Sequence, residues 1–222
     1  GVFPQPVKPI MKGTIMARKA KITRKTGETD ITLEIDLDGG GSIDVKTPIP
    51  FFDHMLSNFA RHGLFGLKIR AVGDIEVDLH HTVEDVGIVL GEAVKKALKD
   101  NSGIKRCGSS SVPMMDSLST VTIDISNRPY FRFNATKESS PLLSEIFSVT
   151  TEGKVSFSMS LAEEFMRAFS NSAGADLHIT LHYGGELHHS IESIFKAFGR
   201  ALSAAVEKDP RIKGVLSTKG RL

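Results

Sequence analysis

Thiol and indole are almost missing from this 222-residue chain, which has one cysteine, Cys107, and no tryptophan. One thiol can form neither an intramolecular disulfide nor a cysteine-rich zinc site, so the composition suits a reducing cytoplasm. No apolar run approaches the ~20 residues that span a bilayer, and the opening carries no secretory leader pattern. An excess of one charge is missing too. With 28 Lys and Arg interspersed among 26 Asp and Glu, the net charge of +2 gives no sign of a nucleic-acid surface or a membrane-binding basic face. Small polar or acidic metabolites remain open as partners. The length allows one large domain or two small halves.

What is present is a repeated order of elements. "GVFPQPVKPIMKGTI", residues 1–15, has no amphipathic period and reads as a disordered lead or cloning remnant. From Lys19 to Lys46, alternating apolar and polar residues around the "GGG" of residues 39–41 predict hairpin-like, half-buried antiparallel strands. "PFFDHMLSNFARHGLF" then places Phe52, Met55, Leu56 and Phe59 at helical spacing. A strand, "LKIRAVG", and a helix through "HHTVEDVGIVLGEAVKKAL" follow. The second half runs the same way, with strands in "STVTIDIS" and "YFRFNA", a helix in "LAEEFMRAFSNSA", a strand in "LHITLHYG" and a long closing helix.

Overlaid with a shift of 108, the two "HH" helices match at His80/His188, His81/His189, Glu84/Glu192 and Gly91/Gly199. Upstream, a shift of 110 pairs Phe59 with Phe169 and His54 with Glu164. The pattern is a tandem duplication of one α+β unit, divided as residues 16–105 and 106–222.

The "HHxxE" motif uses four of only eight histidines. His80 and Glu84 share one helix face, and His81 neighbours Glu84, but adjacent histidines point about 100° apart and so suit two ions better than one. Imidazole and carboxylate donors without thiolate fit a divalent ion such as Mn, Fe, Co, Ni or Zn. Two repeats then give two similar sites, each drawing on the preceding helix at His54 or Glu164. The plainer reading, solvated histidines with a glutamate favouring the helix dipole, explains one copy but not a repeat in register. His62, His178 and His182 lack any such pattern and read as surface or strand histidines.

From Ala17 to Leu222 the chain resembles the imidazoleglycerol-phosphate dehydratase family. The motifs that carry the likeness are "RKTGETDI", "PFFDHML", "DLHHTVEDVGIVLG", "GIKRCGSSSVPM", "NRPY", "GELHHSIESIFKAFGRAL" and "STKGRL". The resemblance implies a duplicated ferredoxin-like (ribosomal protein S5 domain 2-like) α+β fold, sheets backed by helices, a homo-oligomer of 24 chains, and two Mn2+ per active site where subunits meet. It carries metal-ligand roles to His54, His80, His81, Glu84, His188, His189 and Glu192. Glu164 stands where the family commonly has another histidine.

The implied reaction removes water from imidazole glycerol phosphate, a small phosphorylated imidazole, to give imidazole acetol phosphate. The proton lost from carbon is not acidic, so an imidazolate bridging two ions would serve as electron sink. The resemblance gives Glu28 the acid/base role. It places Arg106, Arg128, Lys196, Ser217 and Lys219 on the phosphate, the last two in a C-terminal phosphate-binding tail. Asn58 stands where the family often has a glutamine near the substrate hydroxyls. Met115 replaces the first of two acidic residues usual after "PM", and Asp116 keeps the second. Two other classes compete: a two-metal phosphoesterase, whose ligands are usually richer in aspartate, and a non-catalytic oligomer assembled by metal.

Overall fold

The computed structural model describes residues 17–135, 147–149 and 155–220; the lead assigned to residues 1–15 lies outside them. In the first half, strands β1 (Lys19–Lys25), β2 (Thr29–Asp36), β3 (Ile43–Lys46) and β4 (Gly66–Gly73) form one sheet in the order β1-β2-β4-β3. Helices α1 (Pro50–Gly63) and α2 (His80–Leu98) accompany it. In the second half, β5 (Cys107–Met114), β6 (Ser117–Asp124), β7 (Tyr130–Asn134) and β10 (Asp176–Tyr183) repeat that topology in the order β5-β6-β10-β7. Its helices are α3 (Met159–Ala173) and α4 (Leu187–Val206), and a short pair, β8 (Phe147–Val149) with β9 (Val155–Phe157), is inserted before α3. The architecture is α+β, two four-stranded sheets backed by four helices.

One expectation is corrected. β3 does not form an antiparallel hairpin with β2; it pairs in parallel with β4, Ile43 opposite Leu67 and Lys46 opposite Arg70. The glycine run permits this because the chain crosses the start of β4 at backbone contact. A Cβ on Gly41 would lie 2.7 Å from the Gly66 Cα, and Gly39 and Gly40 take φ values of 78° and 77° that L side chains rarely adopt.

The helices form from local signals. Pro50 opens α1 where its missing N–H costs nothing, and the Asp53 carboxylate accepts from the Thr47 N–H at 2.8 Å. Phe52, Met55, Leu56 and Phe59 are fully buried. α4 is buried over most of its surface, leaving His189, Lys196, Arg200 and Ser203 on one partly exposed stripe.

The two halves meet through their helices, crosswise: α1 packs on α4, and α2 on α3. Phenylalanines knit the crossing, with Phe59 4.8 Å from Phe198 and Phe52 5.3 Å from Phe165, ring centre to ring centre, while Phe169 and Phe165 pack on Phe198 and Phe195 within the second half. One hydrophobic cluster therefore spans both halves. The repeated glycines sit at the crossings. A Cβ on Gly199 would come within 2.3 Å of the Phe59 carbonyl oxygen, and one on Gly91 within 2.7 Å of the Phe169 carbonyl oxygen.

Because backbone, not a flexible side chain, blocks that space, Gly199→Ala is expected to destabilise the fold by about 1–3 kcal/mol. The check is the denaturation midpoint at unchanged m-value; an unshifted midpoint would show that the crossing is looser than described.

Candidate active site

The crossing decides which residues meet. His54 on α1 joins not the histidine pair of its own half but that of α4. Donor atoms of His54, His188 and Glu192 lie within 4.8 Å of one another, among the described residues the one three-donor group of this kind. Glu192 Oε2 faces both rings, 3.3 Å from His54 Nε2 and 3.0 Å from His188 Nε2, while Oε1 is held by Lys196 at 2.6 Å. Burial disfavours the Glu192 charge, but Lys196, helped by the two histidines, holds its carboxyl below the usual range. Asn58 reaches His54 Nε2 at 3.2 Å.

The counterpart lies where α2 meets α3. His80 Nε2 is 3.5 Å from Glu84 Oε2. Phe59 and Gly63 face Gly199 as Phe169 and Ala173 face Gly91, a constant offset of 110 that makes Glu164 the positional equivalent of His54. Glu164 rests 3.4 Å from Arg167 and forms no three-donor group with His80 and Glu84.

The second histidine of each pair turns to a different carboxylate. His189 Nδ1 meets Asp116 Oδ1 at 2.9 Å, and His81 Nδ1 meets Asp74 at 3.1 Å. A carboxylate on Nδ1 fixes the ring's tautomer and orientation and directs Nε2 outward; in His189 that nitrogen lies 3.3 Å from Glu186 Oε2. The Asp74 hydrogen bond is the main reason the His81 ring keeps its proton above the usual imidazole range; burial opposes this and Glu28 adds to it.

The two halves obtain these carboxylates from different places. A Cβ on Gly73 would lie 2.0 Å from Thr82 Oγ1, and one on Gly184 would lie 2.1 Å from Ser190 Oγ, so Gly73 and Gly184 are equivalent, and with them Asp74 and Gly185. In the second half, Gly185 leaves room for Asp116 at the β5–β6 turn; a Cβ there would come within 2.2 Å of its carboxylate. In the first half, Asp74 takes the ring, and Glu28 at the matching β1–β2 turn stands off at 3.8 Å from His81 Nδ1. Glu28 is thereby spared the task of orienting its histidine.

A separate cleft of about 910 Å3 gathers Arg106, Arg128, Ser217 and Lys219 with Ser126, Arg211 and Lys213. Arg106 is committed to the fold, with Nε and Nη2 donating to Asp124 at 2.5 and 2.7 Å and Nη1 donating to the Leu216 carbonyl at 2.9 Å. It thus ties the tail to the second sheet. Lys196 stands apart, on Glu192. Met115 occupies the β5–β6 turn at φ 47° and is 82% exposed. His178 and His182 lie on β10, hydrogen-bonded to Asp176 and Thr120. Sequence reading missed Asp74, since nothing in its spacing from His81 marks a contact that only the chain's return path creates.

The family model for imidazoleglycerol-phosphate dehydratase matches residues 47–202. Enzymes of that name from Acetivibrio thermocellus and Geobacter metallireducens are 52% and 48% identical; each alignment covers 93% of this chain and all of the relative. Among solved structures, imidazoleglycerol-phosphate dehydratase from Staphylococcus aureus is 36% identical with a TM-score of 0.70, covering 86% of this chain and 99% of that one. The Pyrococcus furiosus enzyme, solved in complex with (S)-C348, is 35% identical with a TM-score of 0.72, covering 90% and 100%. These names do not favour the phosphoesterase alternative. The chain belongs to the imidazoleglycerol-phosphate dehydratase family, enzymes of histidine biosynthesis.

Proposed function

We propose that the chain binds two Mn2+ ions and dehydrates imidazole glycerol phosphate to imidazole acetol phosphate. The carrying observation is the His54, His188 and Glu192 group, with His80 and Glu84 as its counterpart. Neutral imidazole nitrogens and carboxylate oxygens without thiolate suit a hard or borderline divalent ion. Held by these residues, divalent ions would supply the Lewis acidity that lets the substrate's imidazole ring act as the electron sink the reaction needs.

The chain's own groups do the rest. His80, His81, Glu84 and His189, with Glu164 in the place of His54, complete the ligands, and Asp74 and Asp116 orient His81 and His189. Glu28 moves the proton between carbon and the departing hydroxyl, so that the C–H and C–O bonds break, water leaves, and the enol becomes the ketone. Arg128, Lys219 and Ser217 bind phosphate, with Arg106 holding their cleft in shape; Lys196 reaches it from the Glu192 side. Asn58 serves the substrate hydroxyls. A cytoplasmic homo-oligomer, of 24 chains as in the family, brings the donor groups and the phosphate cleft of neighbouring copies together.

The test is dehydration by the Mn2+-reconstituted chain with bound metal counted in the same sample. Turnover with about two ions per chain is expected. Two ions without turnover would point to another substrate, and fewer than one ion on folded protein would sink the metal reading.

A further inference from the structure

We propose that Asp85, acting through Thr29, is a positioning residue that locks Glu28 onto the helix bearing His80, His81 and Glu84; this rests on the acid/base reading of Glu28. Glu28 lies at the β1–β2 turn with its side chain 57% exposed, so packing alone does not fix it. The residue after it is buried. Thr29 Oγ1 donates to Asp85 Oδ2 at 2.5 Å, and Asp85 Oδ1 accepts from Arg24 Nε at 3.0 Å.

The hydroxyl protons run in one direction. Thr29 has a single hydroxyl proton, and it goes to Asp85. In the Thr26–Thr29 pair, 3.2 Å apart, Thr26 must then be the donor. Thr26 Oγ1 in turn accepts the Glu28 N–H at 3.1 Å and the Thr29 N–H at 3.0 Å. The result is a directed chain, from the Glu28 amide through Thr26 and Thr29 to Asp85. Its members polarise one another in the same sense. The Glu28 carbonyl is also held, accepting the Asp74 N–H at 3.2 Å. That joins the turn to the residue that orients His81.

The duplication supplies a control. The residue equivalent to Asp85 is Ser193, whose hydroxyl lies 2.6 Å from Ser119 Oγ and donates to the Ser190 carbonyl at 2.8 Å. The same buried place is thus satisfied without a charge. In that half the turn carboxylate, Asp116, is fixed directly by His189. The half that carries Glu28 has given its turn carboxylate no such partner and has a buried carboxylate beneath it instead. The second half does without that charge, whereas the first sets it, paired with Arg24, beneath the turn that carries Glu28.

The experiment compares Thr29→Val, Thr29→Ser and Asp85→Ser with Glu28→Gln and the Thr29→Val/Glu28→Gln pair, in the full chain with metal counted. Thr29→Val and Asp85→Ser are expected to lower kcat about 10- to 100-fold with KM and bound metal unchanged, the scale of a small misplacement of a reacting group. Thr29→Ser should recover most of the rate. In the Glu28→Gln background, Thr29→Val should cost nothing further. Amide exchange across residues 26–29 should quicken in Thr29→Val, with or without metal.

Full activity in both Thr29→Val and Asp85→Ser, or losses that multiply with Glu28→Gln, overturns the inference. Loss of metal or of the fold in Thr29→Val and Asp85→Ser, unrelieved in Thr29→Ser, does the same by showing a structural role. A fully active Glu28→Gln overturns the acid/base reading instead.

Discussion

Glu28→Gln is expected to lower the dehydration rate by about 10²- to 10⁴-fold while leaving metal content and assembly intact. The substitution keeps the side chain's size and removes only its ability to carry the proton. Nothing in the fold leans on the Glu28 carboxylate: it is exposed, and the His81 ring beside it is already held by Asp74. A loss confined to kcat is therefore the expected signature, read from steady-state rates beside a metal count and a sizing measurement. Unchanged turnover would remove Glu28 from the chemistry, and loss of assembly would make it structural. The first outcome would also favour a metal-assembled, non-catalytic oligomer if dehydration were absent from the parent chain.

Truncating a donor at the other group should be equally severe for a different reason. His188→Ala leaves Glu192 and His54 to hold an ion alone, and withdraws the ring that faces Glu192 Oε2 at 3.0 Å. One of the two ions should be lost, and the rate should fall by three orders of magnitude or more, roughly the several kcal/mol that a Lewis-acid ion contributes. A chelator should do the same to the parent chain, reversibly on Mn2+ addition. His178→Ala, in a histidine paired with Asp176 on β10, is the control and should keep both ions. Two ions retained in His188→Ala would separate this group from the metal.

What the sequence disclosed, and what it hid, follows from the range of the interactions involved. α2 and α4 were legible because 3.6-residue periodicity, the "HHxxE" start and the matched glycines are local. β5 was not read as a strand. Its core-facing positions include Gly108, where a Cβ would lie 2.1 Å from the Ala201 carbonyl oxygen, so α4 lies too close for the apolar residues that would have announced a strand. Pro113 within it is tolerated because β5 is an edge strand. The parallel partner of β3 depends on a crossover and not on alternation. The ligand types were legible from composition and repetition; that His54 serves the second histidine pair was not, because helix–helix pairing across the halves leaves no spacing signal.

The crosswise pairing also bears on inheritance. A chain holding one sheet and its two helices would leave Phe52 and Phe59, or Phe165, Phe169 and Phe198, without cover, an exposed apolar face that a lone half must hide against another copy. In such a self-paired ancestor every donor would occur in two identical settings, and any change would strike both at once. Joining the copies in one chain keeps the partner at high effective concentration and frees each setting to drift separately. Histidine at position 54 facing glutamate at position 164, and Asp74 facing Gly185, are what that freedom leaves behind.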